Sequence, residues 1–468
     1  MRVLFVGRSV YHFSYYRSAL EALRRHGHDL ELRFDERWSI SNSDLSLQGF
    51  LKQHPEVLLQ WSETRKDRLR KPLFALRELR SYTSYLRRSA QSSYYLDRWR
   101  KYLIPAFTRV DKTTPGRWLL GRKSLSDAIR GLEAIAPAAK NVVADLRSVA
   151  PDVVLASPAN MRFAEEIEYI KAARRLGIPT TVLVLSWDNM STKGLINIRP
   201  DLLLAWNQTH ASEAVLHHGI LGDRILLTGA PFFDKWFDSE NHAVERTAFL
   251  RNTGLPDDKP FVLYLGSSAN IAKDESWLVA KLVEGLKKSS SLGEANIMIR
   301  PHPANARPFA ELAQSDQRVV VWPPNGQLPE SDSMQADFQN SVQHATAVVG
   351  INTTAMIDTL ALGHPCVAII IDQYEKTQMR AEHFRHLFKS GALNVARGMN
   401  DAVAQLEAIA SGDDNCAEAR LAFLSKFVRP QGMDVNAGEM VAAAVAELGR
   451  GTKATNVCTI PVKQLVGA

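Results

Sequence analysis

Ala295-Asn296-Ile297-Met298-Ile299-Arg300-Pro301-His302-Pro303 is an apolar run that ends on a turn. Ala295–Ile299 reads as a buried strand, so Arg300 and His302 fall where that strand stops. About fifty residues later the pattern recurs. The apolar run Ala345–Val349 leads into Gly350-Ile351-Asn352-Thr353-Thr354-Ala355-Met356-Ile357-Asp358-Thr359-Leu360-Ala361-Leu362-Gly363-His364-Pro365. In an open α/β sheet, ligands bind at the carboxyl ends of the strands. The first segment offers a guanidinium and an imidazole there. The second offers two hydroxyls and the free backbone N–H groups of a helix start, which suit an anion. Together they predict a cradle for a nucleotide diphosphate.

Outward from these segments the chain alternates between strand and helix patterns. Phe261–Leu265, Ile297–Arg300, Val319–Trp322, Ala345–Val349 and Cys366–Ile371 read as strands, with amphipathic helices between them. An earlier series opens with Met1–Val6, a helix over Ser14–His26 stopped by Gly27, and a strand at Asp29–Phe34. It resumes with strands at Asp152–Ala156, Thr180–Leu185, Asp201–Ala205 and Arg224–Leu227. Between 45 and about 130, helical patterns dominate and strand-like runs are missing, which predicts a helical insertion. The fold class expected is α/β, with two Rossmann-like domains facing a cleft. The expected domains are 1–240 and 260–428, joined by a polar linker at 241–259. A C-terminal helix at 429–449 and a loose tail at 450–468 complete the expected layout.

A length of 468 residues exceeds one ordinary core. A hydrophobic content of 45% and a charged content of 23% exclude disordered and fibrous classes. No apolar stretch approaches bilayer-spanning length, and Met1-Arg2-Val3-Leu4-Phe5-Val6-Gly7 reads as a strand rather than a secretory signal. Three scattered cysteines, Cys366, Cys416 and Cys458, show no metal-ligand spacing and fit a reducing cytoplasm. The net charge of +7 is unevenly placed. Residues 65–130 hold 18 Lys and Arg against 5 Asp and Glu, so the rest of the chain is net negative. One localised anionic partner is therefore expected.

The two-domain layout resembles the GT-B glycosyltransferases over nearly the whole chain. Arg300-Pro301-His302-Pro303 resembles the HP motif of CDP-glycerol glycerophosphotransferases, bacterial polysialyltransferases and capsule Kdo transferases. Gly350–Pro365 resembles the region where those families carry a Ser-Ser pair, an acidic residue and Leu-Gly-x-Pro. Thr353-Thr354 stands here in place of Ser-Ser. The resemblance assigns Asp358 to ribose hydroxyls. Ser186-Trp187-Asp188-Asn189-Met190-Ser191-Thr192-Lys193-Gly194 is similar to a segment of uncharacterised relatives of that group.

Arg300 and His302 are expected on the donor phosphates, because Arg presents a planar fork and His stabilises a leaving phosphate. The bland alternative is a prolyl-rigid loop. Asn352, Thr353 and Thr354 are read as both helix cap and phosphate ligands. Asp358 is either a ribose ligand or an exposed helix carboxylate. Ser267, Ser268 and Lys273 follow the first strand of the second domain, where small residues let backbone approach a ligand. In the first domain, Asp188 or His12 is expected as the acceptor base. Trp187 is expected to stack on a sugar, with Asn189 beside it; the alternative is that Trp187 packs in the core. No cofactor and no metal are expected, because no Asp-x-Asp pair occurs in the chain. Tyr82, Tyr85, Tyr94, Tyr95, Trp99 and Tyr102 interleave with Arg80, Arg87, Arg88, Arg98, Arg100 and Lys101. That pattern suits peripheral membrane or glycolipid contact through 65–130.

The function expected is a metal-independent glycosyltransferase moving a sugar from a nucleotide-activated donor to a cell-surface glycan or glycolipid. The alternatives are a CDP-polyol phosphotransferase, a UDP-N-acetylglucosamine 2-epimerase-like enzyme, and a nucleic-acid-binding protein. The last explains the basic segment but not the paired motifs.

Overall fold

The computed structural model describes residues 1–39, 44–88, 93–237 and 243–466. The chain forms two compact units, Met1–Asp234 with Ser425–Ala468, and Lys235–Leu424. Each is built on one parallel sheet, so the α/β class with two Rossmann-like units is observed. No helix among the described residues is long and apolar enough to cross a membrane.

The first unit contains β1 (Arg2–Gly7), β2 (Asp29–Phe34), β3 (Leu58–Trp61), β4 (Val153–Ser157), β5 (Thr180–Leu183), β6 (Leu202–Ala205) and β7 (Ile225–Leu227). They lie in the order β3-β2-β1-β4-β5-β6-β7. Val3, Phe5 and Leu155 face one apolar cluster, while Leu4, Val6 and Val154 face another. Successive strand residues point to opposite faces, so a sheet covered on both sides needs an unbroken apolar run. That is why these strands were legible without alternation.

The second unit contains β8 (Phe261–Leu265), β9 (Asn296–Arg300), β10 (Val319–Val321), β11 (Ala347–Gly350), β12 (Cys366–Ile369) and β13 (Asn394–Ala396). Their order is β10-β9-β8-β11-β12-β13.

Four expectations are corrected. Residues 45–130 are not free of strands, since β3 pairs with β2 at the sheet edge. Leu58 and Trp61 on it are exposed, so no apolar run marks it. The polar stretch 241–259 contains a helix, Arg246–Thr253, and the second unit already begins at Lys235; the expected boundary at 240–241 lies outside the described residues. The second unit ends at Leu424, and the chain then returns to the first. The tail is not loose: Ala454, Val457 and Leu465 pack into the first unit's core.

The return is held by a buried carboxylate. Asp234 pairs with Arg429 at 2.9 Å, both nearly inaccessible to solvent. It also accepts hydrogen bonds from Ser18 Oγ at 2.6 Å and from the backbone N–H groups of Ala437 and Gly438 at 3.1 and 2.8 Å. Those two N–H groups begin the Ala437–Gly449 helix, where an anion is favoured. Gly438 is needed because a Cβ there would lie 2.2 Å from Ser18 Oγ.

The helical insertion is fastened by ions as well. Arg77 of the Arg70–Arg87 helix pairs with Glu133 at 2.7 Å and with Glu168 at 2.5 Å. Lys171 pairs with Glu133 at 2.9 Å, and Arg65 with Glu168 at 3.0 Å.

Removing one partner of a buried pair strands the other charge. Asp234→Ala is therefore expected to cost about 3 kcal/mol of stability, seen as a lower urea midpoint. A change within a few tenths of a kcal/mol would show that Asp234 does not hold the return.

Candidate functional site

In the second unit β8 runs outward through β9 to β10, and the chain then crosses back to β11, β12 and β13. The crevice of such a sheet opens where the strand order reverses, between β8 and β11. Register makes the crevice concrete. Leu265 is paired with Arg300 on one side and with Gly350 on the other. Adjacent strands lie about 4.8 Å apart, so the three strand ends span roughly 10 Å. The loops carrying Ser267–Lys273, His302 and Asn352–Thr354 leave one edge side by side. The two motifs separated by fifty residues are neighbours.

The loops are braced from below. Asn305 Nδ2 donates to the carbonyls of Ser267 and Ala272 at 3.2 and 3.0 Å. Gly326, at φ +68°, closes against the His302 turn, where a Cβ would lie 2.5 Å from the Pro301 carbonyl. Glu275 is wholly buried and accepts from Tyr264 Oη at 2.7 Å and from the Ser267 N–H at 2.8 Å. Burial pushes its carboxyl up to about 7. Gln378 Nε2 donates to the carbonyls of Ile351 and Ile369, both at 2.8 Å.

His302 is half-buried, and its Nδ1 accepts from the Ala304 N–H at 3.1 Å. A ring nitrogen that accepts carries no proton, so the proton of the neutral ring sits on Nε2. Burial lowers the pKa of His302, which favours that neutral form. The side chain is thus a positioned Nε2–H donor. Thr353 and Thr354 are half-buried, and Thr354 occupies the N-cap of the Ala355–Ala361 helix without a side-chain cap bond. Asp358 is buried and accepts from Trp236 Nε1 at 2.6 Å, with burial raising its pKa. The exposed-carboxylate alternative is therefore wrong.

Three expected ligands in this unit are buried. Arg300 Nη1 donates to Asp337 Oδ2 at 2.6 Å and Ser341 Oγ at 2.7 Å, with the guanidinium over Phe338. Asp337 is also held by Trp322 Nε1 at 2.8 Å. Arg300 thus ties the sheet to the Asp332–Gln343 helix instead of presenting its fork to a phosphate. Asn352 is buried, and its Nδ2 donates to the Thr377 carbonyl at 2.7 Å. Ser267 is buried with its N–H on Glu275. Ser268 and Lys273 remain at the surface of the loop.

In the first unit the order reverses between β1 and β4, whose ends meet at the Gly7–Ser157 pair. The β5 loop lies beside them. Asp188 accepts from Ser186 Oγ at 2.6 Å and Thr192 Oγ1 at 2.8 Å, and pairs with Lys193 at 2.9 Å. His12 feels the positive charges of Lys193 and Arg8. With burial as the larger cause, its pKa is pushed down to about 3. The ring is therefore neutral, and basicity does not separate it from Asp188, whose carboxylate is held by Lys193. Trp187 is 5% exposed, so the core alternative holds and sugar stacking does not. Asn189 is internal too: its Nδ2 donates to Asn160 Oδ1 at 2.7 Å, and its Oδ1 accepts from the Leu185 N–H at 3.1 Å.

The aromatic and basic insertion is also revised. Tyr82, Tyr85, Tyr95 and Trp99 are buried. Tyr85 Oη donates to the carbonyls of Ser191 and Lys193, Arg88 Nη1 to that of Ser191, and Arg98 Nη2 to that of Thr192. These side chains hold the Asp188 loop and offer no face to a headgroup. Sequence reasoning also missed two buried carboxyls, Glu78 and Glu166. Burial pushes both up to about 7, against the pull of Arg8. No spacing marked Glu78 or Glu166, because Phe163 and Arg8, which respectively act on them, are distant in the chain.

Glu275 sets a pH test. An unfolded Glu titrates near 4.3, and Glu275 titrates at about 7 when buried. Between those values the folded state keeps a proton that the unfolded state has lost. Wild-type stability therefore falls as pH rises through this window and levels off above it. Glu275→Gln escapes that loss, so urea denaturation should show its stability relative to wild type improving by roughly 3 kcal/mol across the window. A gap that does not change with pH would refute the buried, protonated carboxyl.

No family model and no curated protein matches the chain. Solved structures do match. A putative UDP-N-acetylglucosamine 2-epimerase from Listeria monocytogenes aligns with a TM-score of 0.55 at 11% identity, covering 97% of this chain and 98% of that one. A glycosyltransferase from Rickettsia africae aligns at 0.52 and 9% identity, covering 96% and 98%. A UDP-GlcNAc 2-epimerase from Neisseria meningitidis, bound to UDP-GlcNAc, aligns at 0.51 and 11% identity, covering 94% and 98%. At these identities the likeness is one of fold. It spans both units and agrees with the GT-B architecture.

Proposed function

We propose that this chain is a nucleotide-sugar-dependent glycosyltransferase that works without a bound metal. The observation that carries the reading is the row Arg300–Leu265–Gly350, which sets the His302 turn and the Thr353-Thr354 helix start beside the crevice of the second sheet. His302 would donate its Nε2–H to a diphosphate oxygen. Thr353, Thr354 and the helix-start N–H groups would bind the same anion. Asp358, buried with Trp236 on its carboxyl, is not assigned to the ribose.

In the transfer, the acceptor oxygen forms a bond to the anomeric carbon as the bond to the terminal phosphate oxygen breaks. The electron pair leaves on that phosphate, where a fixed neutral donor and oriented N–H groups stabilise it without needing a proton. Asp188 would take the acceptor's hydroxyl proton, with Lys193 and Thr192 holding its carboxylate in place. His12 is the second candidate for that role. Arg300 acts by positioning, through Asp337. The acceptor class is a glycan or glycolipid of the cell surface.

A second reading, a UDP-N-acetylglucosamine 2-epimerase-like enzyme, is favoured by the Listeria and Neisseria proteins that share the fold. A CDP-polyol phosphotransferase would use the same cradle.

Thermal unfolding with UDP, CDP, CMP and GDP tests the shared cradle. The correct nucleotide at a hundredfold excess over its Kd should stabilise by about 2.7 kcal/mol. His302→Ala and Thr353→Val/Thr354→Val should lose most of the shift while keeping the unliganded midpoint. If no nucleotide moves the midpoint, the cradle is not one. Proton NMR with UDP-GlcNAc then separates the readings, since formation of the 2-epimer without any acceptor would favour the epimerase.

A further inference from the structure

The segment 101–123 carries Lys101, Arg109, Lys112, Arg117, Arg122 and Lys123, and its one acid is Asp111. Asp111 is buried, accepting from Tyr82 Oη and from Arg100 Nε at 2.8 Å. The outward charge of the segment is therefore positive, with Lys123 alone among the described residues paired to an acid beyond it, Asp127, at 2.8 Å. It folds into two short helices, Pro105–Asp111 and Thr114–Leu120. They meet at Gly116, where a Cβ would lie 2.1 Å from the Val110 carbonyl and 2.8 Å from Val110 Cγ1. The two helices thus pack closely at this corner.

On this corner Trp118 is 62% exposed and Leu119 50% exposed, with Ile104 and Val110 also in solvent. The guanidinium of Arg122 lies 3.7 Å from the Trp118 ring centroid. A Trp with aliphatic neighbours amid a surplus of cations is costly to leave in water. It is the composition that settles at the boundary between anionic headgroups and acyl chains.

We propose that the 101–123 corner, with Trp118 and Leu119 as its apolar tip, docks on an anionic lipid bilayer. Nucleic acid is the rival occupant, since Trp stacks on bases and cations meet phosphates. Leu119, Ile104 and Val110 decide between them: aliphatic side chains offer little to a phosphate backbone but enter the acyl boundary readily. The surface differs from the buried Tyr82, Tyr85, Tyr95 and Trp99 set of the same insertion. As the route to a glycolipid acceptor the docking rests on the transferase reading, but its own evidence does not.

Flotation of the full chain with vesicles of phosphatidylcholine, with and without one third phosphatidylglycerol, tests it. The chain should float with the anionic vesicles, less so at high salt, and stay behind with neutral ones. Arg109→Gln/Lys112→Gln should weaken binding about 25-fold, at about fivefold for each cation lost. Trp118→Ser/Leu119→Ser should weaken it at least about tenfold. Both variants should keep the nucleotide-induced thermal shift, so loss of docking and loss of the nucleotide site are read separately. Wild type that does not float with anionic vesicles overturns the proposal. So does flotation unchanged by the Trp118 variant, or retention on poly(U) that needs Trp118 while vesicles are ignored.

Discussion

The parallel pairing of β9, β8 and β11 is the constraint on which the candidate site depends. Once Leu265 is bonded to Arg300 on one side and Gly350 on the other, three loops must leave the sheet at the same edge. A slip of one residue would exchange the side chains of each strand's two buried faces and mismatch their packing. Because Val262, Ile297 and Val349 pack in one apolar cluster, the core resists such a slip. Hydrophobic burial, which is non-specific, thereby fixes the position of the imidazole at 302 and the hydroxyls at 353 and 354.

Around that row, residues whose chemistry suggested ligands serve as braces. Arg300 holds Asp337, Asn352 holds the Thr377 carbonyl, and Ser267 is held by Glu275. Each is buried, and a buried polar group without a partner is costly, so the fold supplies one. The residues left with reach are His302, Thr353 and Thr354, whose loops the braces hold still. In the first unit the same division appears: Asn189 and Trp187 build the β5 loop, while Asp188 and Lys193 stay partly accessible.

The basic insertion shows why composition is ambiguous about role. Arg77 and Arg65 lie in a buried ionic network with Glu133 and Glu168, and Arg88 and Arg98 cap loop carbonyls. The same excess of Arg can therefore be internal scaffold along one stretch and outward charge along the next. Which is which depends on whether a carboxylate or carbonyl from elsewhere in the chain arrives within hydrogen-bonding distance.

The strands buried on both faces, the two α/β series and the loops at 300–303 and 350–365 were determined by the sequence alone, because continuous apolar runs and their ends are local signals. The edge strands β3 and β13, the return of residues 425–466 to the first unit, and the Asp234–Arg429 pair were decided only in three dimensions. So was the sorting of Arg300, Asn352 and Trp187 into scaffold and of His302 into a neutral donor. A side chain's protonation and availability depend on what surrounds it, and those surroundings come from segments tens to hundreds of residues away.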